Sequence, residues 1–204
     1  AVDVRSSSKK MLDKDYWDNR YQTEETGWDI GSPSTPLKNY IDTLEDKSLK
    51  ILIPGCGRAY EAEYLHQQGF NHVVVLDFSL TALQEFAIRV PTFPKEHLIA
   101  TNFFNHQGQY DVLLEQTFFC AIDVNLREDY VVHASSLLNN KGKITGLLFA
   151  QEFGNDYPPF GGTKKQYQSL FNPSFEIEKM ELAKDSIEAR KGRELFITFK
   201  KKKS

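Results

Sequence analysis

The strongest constraint on this chain is a short apolar run that breaks on a glycine turn, Ile51-Leu-Ile-Pro-Gly-Cys-Gly57. Such a run predicts a strand, and the turn opens a helix. Glycines at that point let the backbone reverse and approach a ligand without a Cβ in the way. Helical periodicity over Tyr60–Gln68 follows, stopped by Gly69 where a helix C-terminus favours glycine. A Val-rich strand over His72–Leu76 then ends at Asp77, twenty-two residues after Gly55. In a strand-turn-helix-strand unit, a carboxylate at that place accepts hydrogen bonds from ribose hydroxyls. The unit therefore predicts a site for a nucleoside-bearing cofactor. The plain alternative is a βα turn followed by a surface Asp.

The residues after the turn narrow the nucleoside. Dinucleotide sites want Gly-x-Gly-x-x-Gly, and here the sixth position is Tyr60, too bulky for the helix approach that a pyrophosphate site uses. S-adenosylmethionine has no phosphate to cradle. Its amino-acid end needs backbone groups near the turn, and its ribose needs the acid. This disfavours a nicotinamide-dependent oxidoreductase.

The strand-helix alternation continues along most of the chain. Leu49–Ile53, His72–Leu76, His97–Thr101, Tyr110–Leu114 and Lys143–Phe149 read as strands. Helical patterns over Tyr60–Gln68, from the Ser79 cap to Arg89, and over Arg127–Leu138 lie among them, the last closed by Asn140-Lys-Gly142. Apolar runs without strict alternation, interleaved with helices, specify a parallel sheet covered on both faces. After Phe149 the rhythm changes. Thr163–Phe171 reads as a helix, and Phe175–Leu182 and Glu194–Phe199 alternate like antiparallel strands. The expected fold is α/β, a doubly wound and mostly parallel seven-stranded sheet with an antiparallel end.

All 204 residues are expected to form one domain, with residues 1–45 as an N-terminal helical lid segment. That segment carries a polar leader, a helical pattern over Leu12–Gln22 around Trp17, and a Gly- and Pro-dense loop bearing Trp28. A short helix over Leu37–Leu44 completes it. The Lys200–Lys203 run is read as a frayed, solvated end.

Charge and cysteine content exclude several classes. Twenty-five basic against 28 acidic residues give a net charge of -3, so no global basic field gathers nucleic acid by counterion release. Cys56 and Cys120 are too few for a disulfide framework or a structural zinc site, and the five His show no paired ligand spacing. The longest apolar runs are too short to span a bilayer, and a cytoplasmic protein is the simplest expectation. Nothing in the pattern suggests a large apolar interface, so a monomer is expected. Aromatics are abundant, with 15 Phe, 9 Tyr and 2 Trp.

Four segments together resemble the thiopurine S-methyltransferase family, nearest its plant-type halide and thiol methyltransferase branch. They are Pro54-Gly-Cys-Gly57, Leu76-Asp-Phe-Ser79, the stretch from Trp17 to Trp28, and Phe118-Phe-Cys-Ala-Ile122. The similarity runs from about Tyr16 to Phe171. Thr26-Gly-Trp-Asp-Ile-Gly31 followed by Thr35-Pro-Leu37 is its most specific part. The resemblance implies the class I S-adenosylmethionine-dependent methyltransferase fold, S-adenosylmethionine as methyl donor, and a small soft nucleophile as acceptor: a thiol, a halide, a thiopurine or a chalcogen compound. It implies that Trp17, Tyr21 and Trp28 contact the cofactor, with Gly55 and Gly57 in the turn and Asp77 on the ribose. Asn102 and Phe103 fall where the family contacts adenine, Asn102 with an amide oxygen in place of the usual carboxylate. Ala59 stands where another Gly is common, and Glu61 could receive the cofactor's ammonium.

Methyl transfer from a sulfonium is an in-line displacement that needs no metal; alignment and exclusion of water accelerate it. Ring faces suit such a site because they attract the cationic sulfur. Trp28, Gln116 and Tyr157 are the residues expected at the methyl-transfer site, with Phe118 or Phe119 completing the enclosure. Tyr157-Pro-Pro-Phe160-Gly-Gly162 resembles the acceptor-side loop. If the acceptor is a thiol, Glu115 or Tyr157 could take its proton, whereas a halide needs no base. Cys120, within Phe-Phe-Cys-Ala-Ile, is read as a packed small hydrophobe. A cofactor-binding module without turnover is the alternative reading.

Overall fold

The computed structural model describes residues 12–17, 31–55 and 59–203. Seven strands form one sheet: β1 (Ile51–Pro54), β2 (Val73–Asp77), β3 (Leu98–Ala100), β4 (Tyr110–Gln116), β5 (Leu138–Phe149), β6 (Phe175–Leu182) and β7 (Glu194–Lys201). Their order across the sheet is β3-β2-β1-β4-β5-β7-β6. The first five are parallel; β7 runs antiparallel to both β5 and β6. The mostly parallel sheet with an antiparallel end follows the sequence pattern.

Helices α1 (Thr35–Asp42), α2 (Tyr60–Gln67) and α3 (Leu80–Arg89) cover one face, and α4 (Arg127–Ser136) and α5 (Lys164–Phe171) the other. All four residues of β1 are buried, because the strand has helices above and below it. Ser79 caps α3 as its sequence predicts, its Oγ accepting the Ala82 N–H at 3.1 Å. Thr163 and Gln166 close a reciprocal capping box at the start of α5.

Two boundaries differ from the sequence reading. Strand β5 begins at Leu138, whereas Asn140-Lys-Gly142 reads as a helix stop. Leu138 is fully buried and pairs with Tyr110, so the chain enters the sheet directly and absorbs the turn signal as an irregularity, with Lys141 at φ 68°. The C-terminal lysines are also more ordered than a frayed end. Lys200 and Lys201 belong to β7, and Lys201 Nζ donates to the Leu138 carbonyl at 2.9 Å. Among the described residues no helix is long and apolar enough to cross a membrane, and no cluster of three His, Cys, Asp or Glu could hold a metal ion.

Candidate functional site

Strand order reverses between β1 and β4, and in open α/β sheets ligands bind outside the carboxyl ends of the strands at that switch point. Gly55 closes β1 there at φ +57°, its N–H donating to the Leu76 carbonyl at 2.8 Å. The left-handed conformation favours glycine, and a second constraint is steric. A Cβ on Gly55 would stand 2.1 Å from the Phe118 ring. Gly57 lies outside the described residues.

On the β2 side, the Asp77 carboxylate is buried and its Oδ1 accepts the Ser79 N–H at 2.8 Å. The chain after β3 brings Asn102 beside it in the sheet: Ala100 pairs with Asp77, and the Thr101 N–H donates to the Asp77 carbonyl. Asn102 Oδ1 accepts the Phe104 N–H at 2.9 Å. The Phe103 ring turns into the core, stacked on Tyr130 at 5.2 Å, which leaves its backbone for any contact at the crevice.

On the β4 side, a carboxylate joins three segments. Glu61, in the first turn of α2, is buried and accepts the Ser34 N–H at 2.8 Å. With the Gln116 amide turned to present its nitrogen, that nitrogen lies 2.9 Å from Glu61 Oε2. Burial pushes the Glu61 carboxyl above its ordinary range, against the opposing pull of the Ser34 N–H and Arg190. Arg190 was not singled out in the sequence. It sits between β6 and β7, about 130 residues from Glu61 in sequence, and also faces buried Glu194 at 3.9 Å. Only the antiparallel end of the sheet brings it here.

The loop after β4 is locked by a second buried carboxylate. Glu115 Oε1 accepts the Phe119 N–H at 2.5 Å, and Tyr130 donates to Oε2 at 2.8 Å. Thr117 takes φ 56° between them. Desolvation raises the Glu115 carboxyl to about 7. Glu115 is fully buried, so it holds this turn and does not face an acceptor as a base. Phe119 is likewise wholly in the core, and of the two rings Phe118 is the partly buried one that lies against Gly55.

The loop after β5, expected on the acceptor side, is tied down by a cation. Arg127, at the start of α4, donates to the Phe160 carbonyl at 3.0 Å and to the Gly161 carbonyl at 2.9 Å. Its guanidinium lies over the Phe119 ring at 4.6 Å. The Phe160 N–H donates to the Cys120 carbonyl at 2.7 Å. Gly161 passes so close to the Gln151 carbonyl that a Cβ would lie 1.6 Å from it. Cys120 is buried, its thiol pushed up to about 11 by desolvation and 3.6 Å from the Tyr167 hydroxyl, in keeping with a packing role. Tyr157, on the same loop, is 57% exposed.

The remaining sequence candidates are in the N-terminal segment. Trp17 ends a short helical turn over 14–17 and meets Tyr16 edge to face at 5.1 Å. Tyr21 and Trp28 lie outside the described residues.

With this geometry in place, residues 12–202 match the thiopurine S-methyltransferase family. The chain belongs to that family. It is accordingly one of the S-adenosylmethionine-dependent methyltransferases. A probable thiol methyltransferase 2 of Arabidopsis thaliana is 26% identical over 191 residues, covering 91% of this chain and 84% of the relative. A thiocyanate methyltransferase 1 of Brassica oleracea is 25% identical over the same length, with the same coverage of each chain. Among solved structures, a Burkholderia thailandensis 1,6-didemethyltoxoflavin-N1-methyltransferase, determined with 1,6-didemethyltoxoflavin and S-adenosylhomocysteine bound, superposes with a TM-score of 0.73. It is 15% identical, covers 93% of this chain and is itself covered to 87%, and the likeness is one of fold. The fold is that of the class I methyltransferases.

Proposed function

We propose that the protein moves a methyl group from S-adenosylmethionine to a small soft nucleophile (a thiol, halide, thiopurine or chalcogen compound) by in-line displacement at the β1/β4 crevice. The observation that carries this reading is the pairing of a left-handed glycine turn at the end of β1 with a buried carboxylate, Asp77, at the end of β2. The residues fit the cofactor. Asp77 supplies an acceptor for ribose hydroxyls, Asn102 and the Phe103 backbone stand next along the sheet for adenine, and the turn lacks the third glycine of a pyrophosphate site. Glu61 is buried behind the turn and accepts the Ser34 N–H, so it positions the start of α2 rather than standing open to an ammonium.

Bound S-adenosylmethionine supplies an electrophilic methyl on a cationic sulfur. The nucleophile's lone pair forms the new bond to that carbon while the carbon–sulfur bond breaks, its electron pair remaining on sulfur as a neutral thioether. A halide or preformed thiolate brings no proton to remove. This chain's residues orient the partners and exclude water. Gln116 lines the β4 side through Glu61, while Trp17, Tyr21 and Trp28 serve in the N-terminal lid. The Ser34–Glu61 hydrogen bond ties the residues just ahead of α1 to the first turn of α2. Tyr157 stands on the acceptor-side loop that Arg127 anchors.

Titration calorimetry with S-adenosylmethionine, followed by product detection across iodide, thiocyanate, small thiols, a thiopurine and tellurite, tests the proposal. Binding with methylation of at least one acceptor is expected. Binding with no product from any of them would replace it with a cofactor-binding module that lacks turnover.

A further inference from the structure

The ring of Phe118 packs against the turn that closes β1. Phe118 is partly buried and reaches from the β4 loop to the turn of β1, where Gly55 has no Cβ to keep it away. The ring cannot easily retreat. Behind it stand Phe103, edge-on at 5.4 Å, and Tyr130 at 6.1 Å, both buried. Its backbone is fixed from both sides, by Thr117 at φ 56° and by the Phe119 N–H on the Glu115 carboxylate. Tyr130 holds the other oxygen of that carboxylate, so one residue braces both the ring and the turn that carries it. Close-packed interiors of this kind do not adapt to an extra ring's volume without strain.

We infer that Phe118 is a specificity-determining residue that narrows the space above the Gly55 turn, admitting acceptors of a few atoms, such as a thiocyanate-sized anion or short alkyl thiol, and excluding bicyclic heteroaromatic thiols. The inference rests on the methyl-transfer reading above and selects among its acceptors. A ring face beside the turn also suits a polarisable anion reacting with a cationic donor, because it screens both from water without offering a competing hydrogen-bond donor.

The test compares kcat/KM for thiocyanate and for 6-mercaptopurine in the wild-type chain, Phe118→Ala and Phe118→Leu, with S-adenosylmethionine affinity and melting temperature measured for each. The wild-type chain is expected to favour thiocyanate by at least about tenfold. Phe118→Ala is expected to move the ratio at least about tenfold toward 6-mercaptopurine, and Phe118→Leu by a smaller factor of about three. A merely structural role would lower both activities alike and leave their ratio fixed. An unchanged ratio in a folded variant, or a wild-type chain that accepts both equally, overturns the inference and leaves methyl transfer standing. Should Phe118→Ala fail to fold, the milder Phe118→Leu ratio decides. A wild-type chain that binds S-adenosylmethionine but methylates no acceptor overturns the methyl-transfer reading, and this one falls with it.

Discussion

The two faces of the sheet are built from different materials. The face under α1, α2 and α3 is mainly aliphatic, with Leu37, Ile41, Ile53, Leu65, Val75 and Leu83 at its centre. The face under α4 and α5 is aromatic and threaded with polar groups. Phe103, Phe119, Tyr130, Tyr167, Phe171 and Phe175 pack there around Glu115, Cys120 and the Arg127 guanidinium. The difference follows what each side has to hold. The proposed cofactor side is positioned largely by backbone, at strand ends and a glycine turn, with aliphatic packing around a buried carboxylate, Glu61, that accepts the Ser34 N–H. The proposed acceptor side consists of two long loops, after β4 and β5, with no ladder of their own. Buried hydrogen bonds and a stacked cation must fix their shape, since buried polar groups stabilise only in the arrangement that satisfies them.

The sharpest way to break this division is to separate binding from turnover. Asp77→Ala removes the carboxylate at the end of β2 and is expected to weaken S-adenosylmethionine binding roughly 100-fold, on the scale of two lost hydrogen bonds to a charged group. Calorimetry would show the assignment to be wrong if a folded variant bound unchanged. Arg127→Met acts on the opposite face. It leaves the Phe160 and Gly161 carbonyls without their donor, so stability should fall by about 2–3 kcal/mol and acceptor KM should rise roughly tenfold. Cofactor affinity should stay within about twofold; an equal loss in both would erase the proposed division of labour.

A third measurement concerns the polar network alone. Glu115 is raised to about 7 in the folded chain by burial, so the native state holds its proton more tightly than the unfolded state does. Its contribution is therefore fully present below the unfolded carboxyl range and is lost as pH rises through about 7. Glu61 and Glu194 shift in the same direction, again chiefly by burial. Chemical denaturation should show stability declining from pH 5 to pH 8, and Glu115→Gln should flatten part of that slope. An identical slope in the variant would show that the carboxyl does not titrate there. The smallest effect is expected at Ala59, the left-handed residue that precedes α2 at φ 57°. Ala59→Gly relieves a conformation that costs an L-residue about 1 kcal/mol, but it also loses a buried methyl and frees the unfolded chain. A melting temperature within about 2 °C of wild type would fit that balance.

The same contrast governs what could be read before the fold was known. Asp77 and Gly55 were legible because the cofactor side is local: a strand, a turn, a helix and a second strand within about thirty residues, each announced by its own residue pattern. Gln116 could be placed at the end of β4 and Phe118 just after it through the family resemblance, but their roles could not be ordered. Phe119, its immediate neighbour, points into the core, and Glu115, considered as a base, instead secures the turn. Arg127 carried no motif, since a helix-start arginine is ordinarily a solvated residue. Arg190 was silent as well. The C-terminal lysines read as a loose end because pairing with β5 and β6 leaves no trace in a charged run.

By itself the sequence determined the order and type of the elements, the doubly wound sheet, the glycine turn with its acid, and the family. It could do so because apolar periodicity, capping and turn chemistry act over a few residues. The tertiary structure alone decided what each buried carboxylate holds, Glu61 the Ser34 N–H and Glu115 the turn after β4. It also decided which of two adjacent phenylalanines meets Gly55, and which arginines reach the loops. Those outcomes depend on packing between segments 30 to 130 residues apart, where a single turn of the backbone determines whether a side chain faces the core or the crevice.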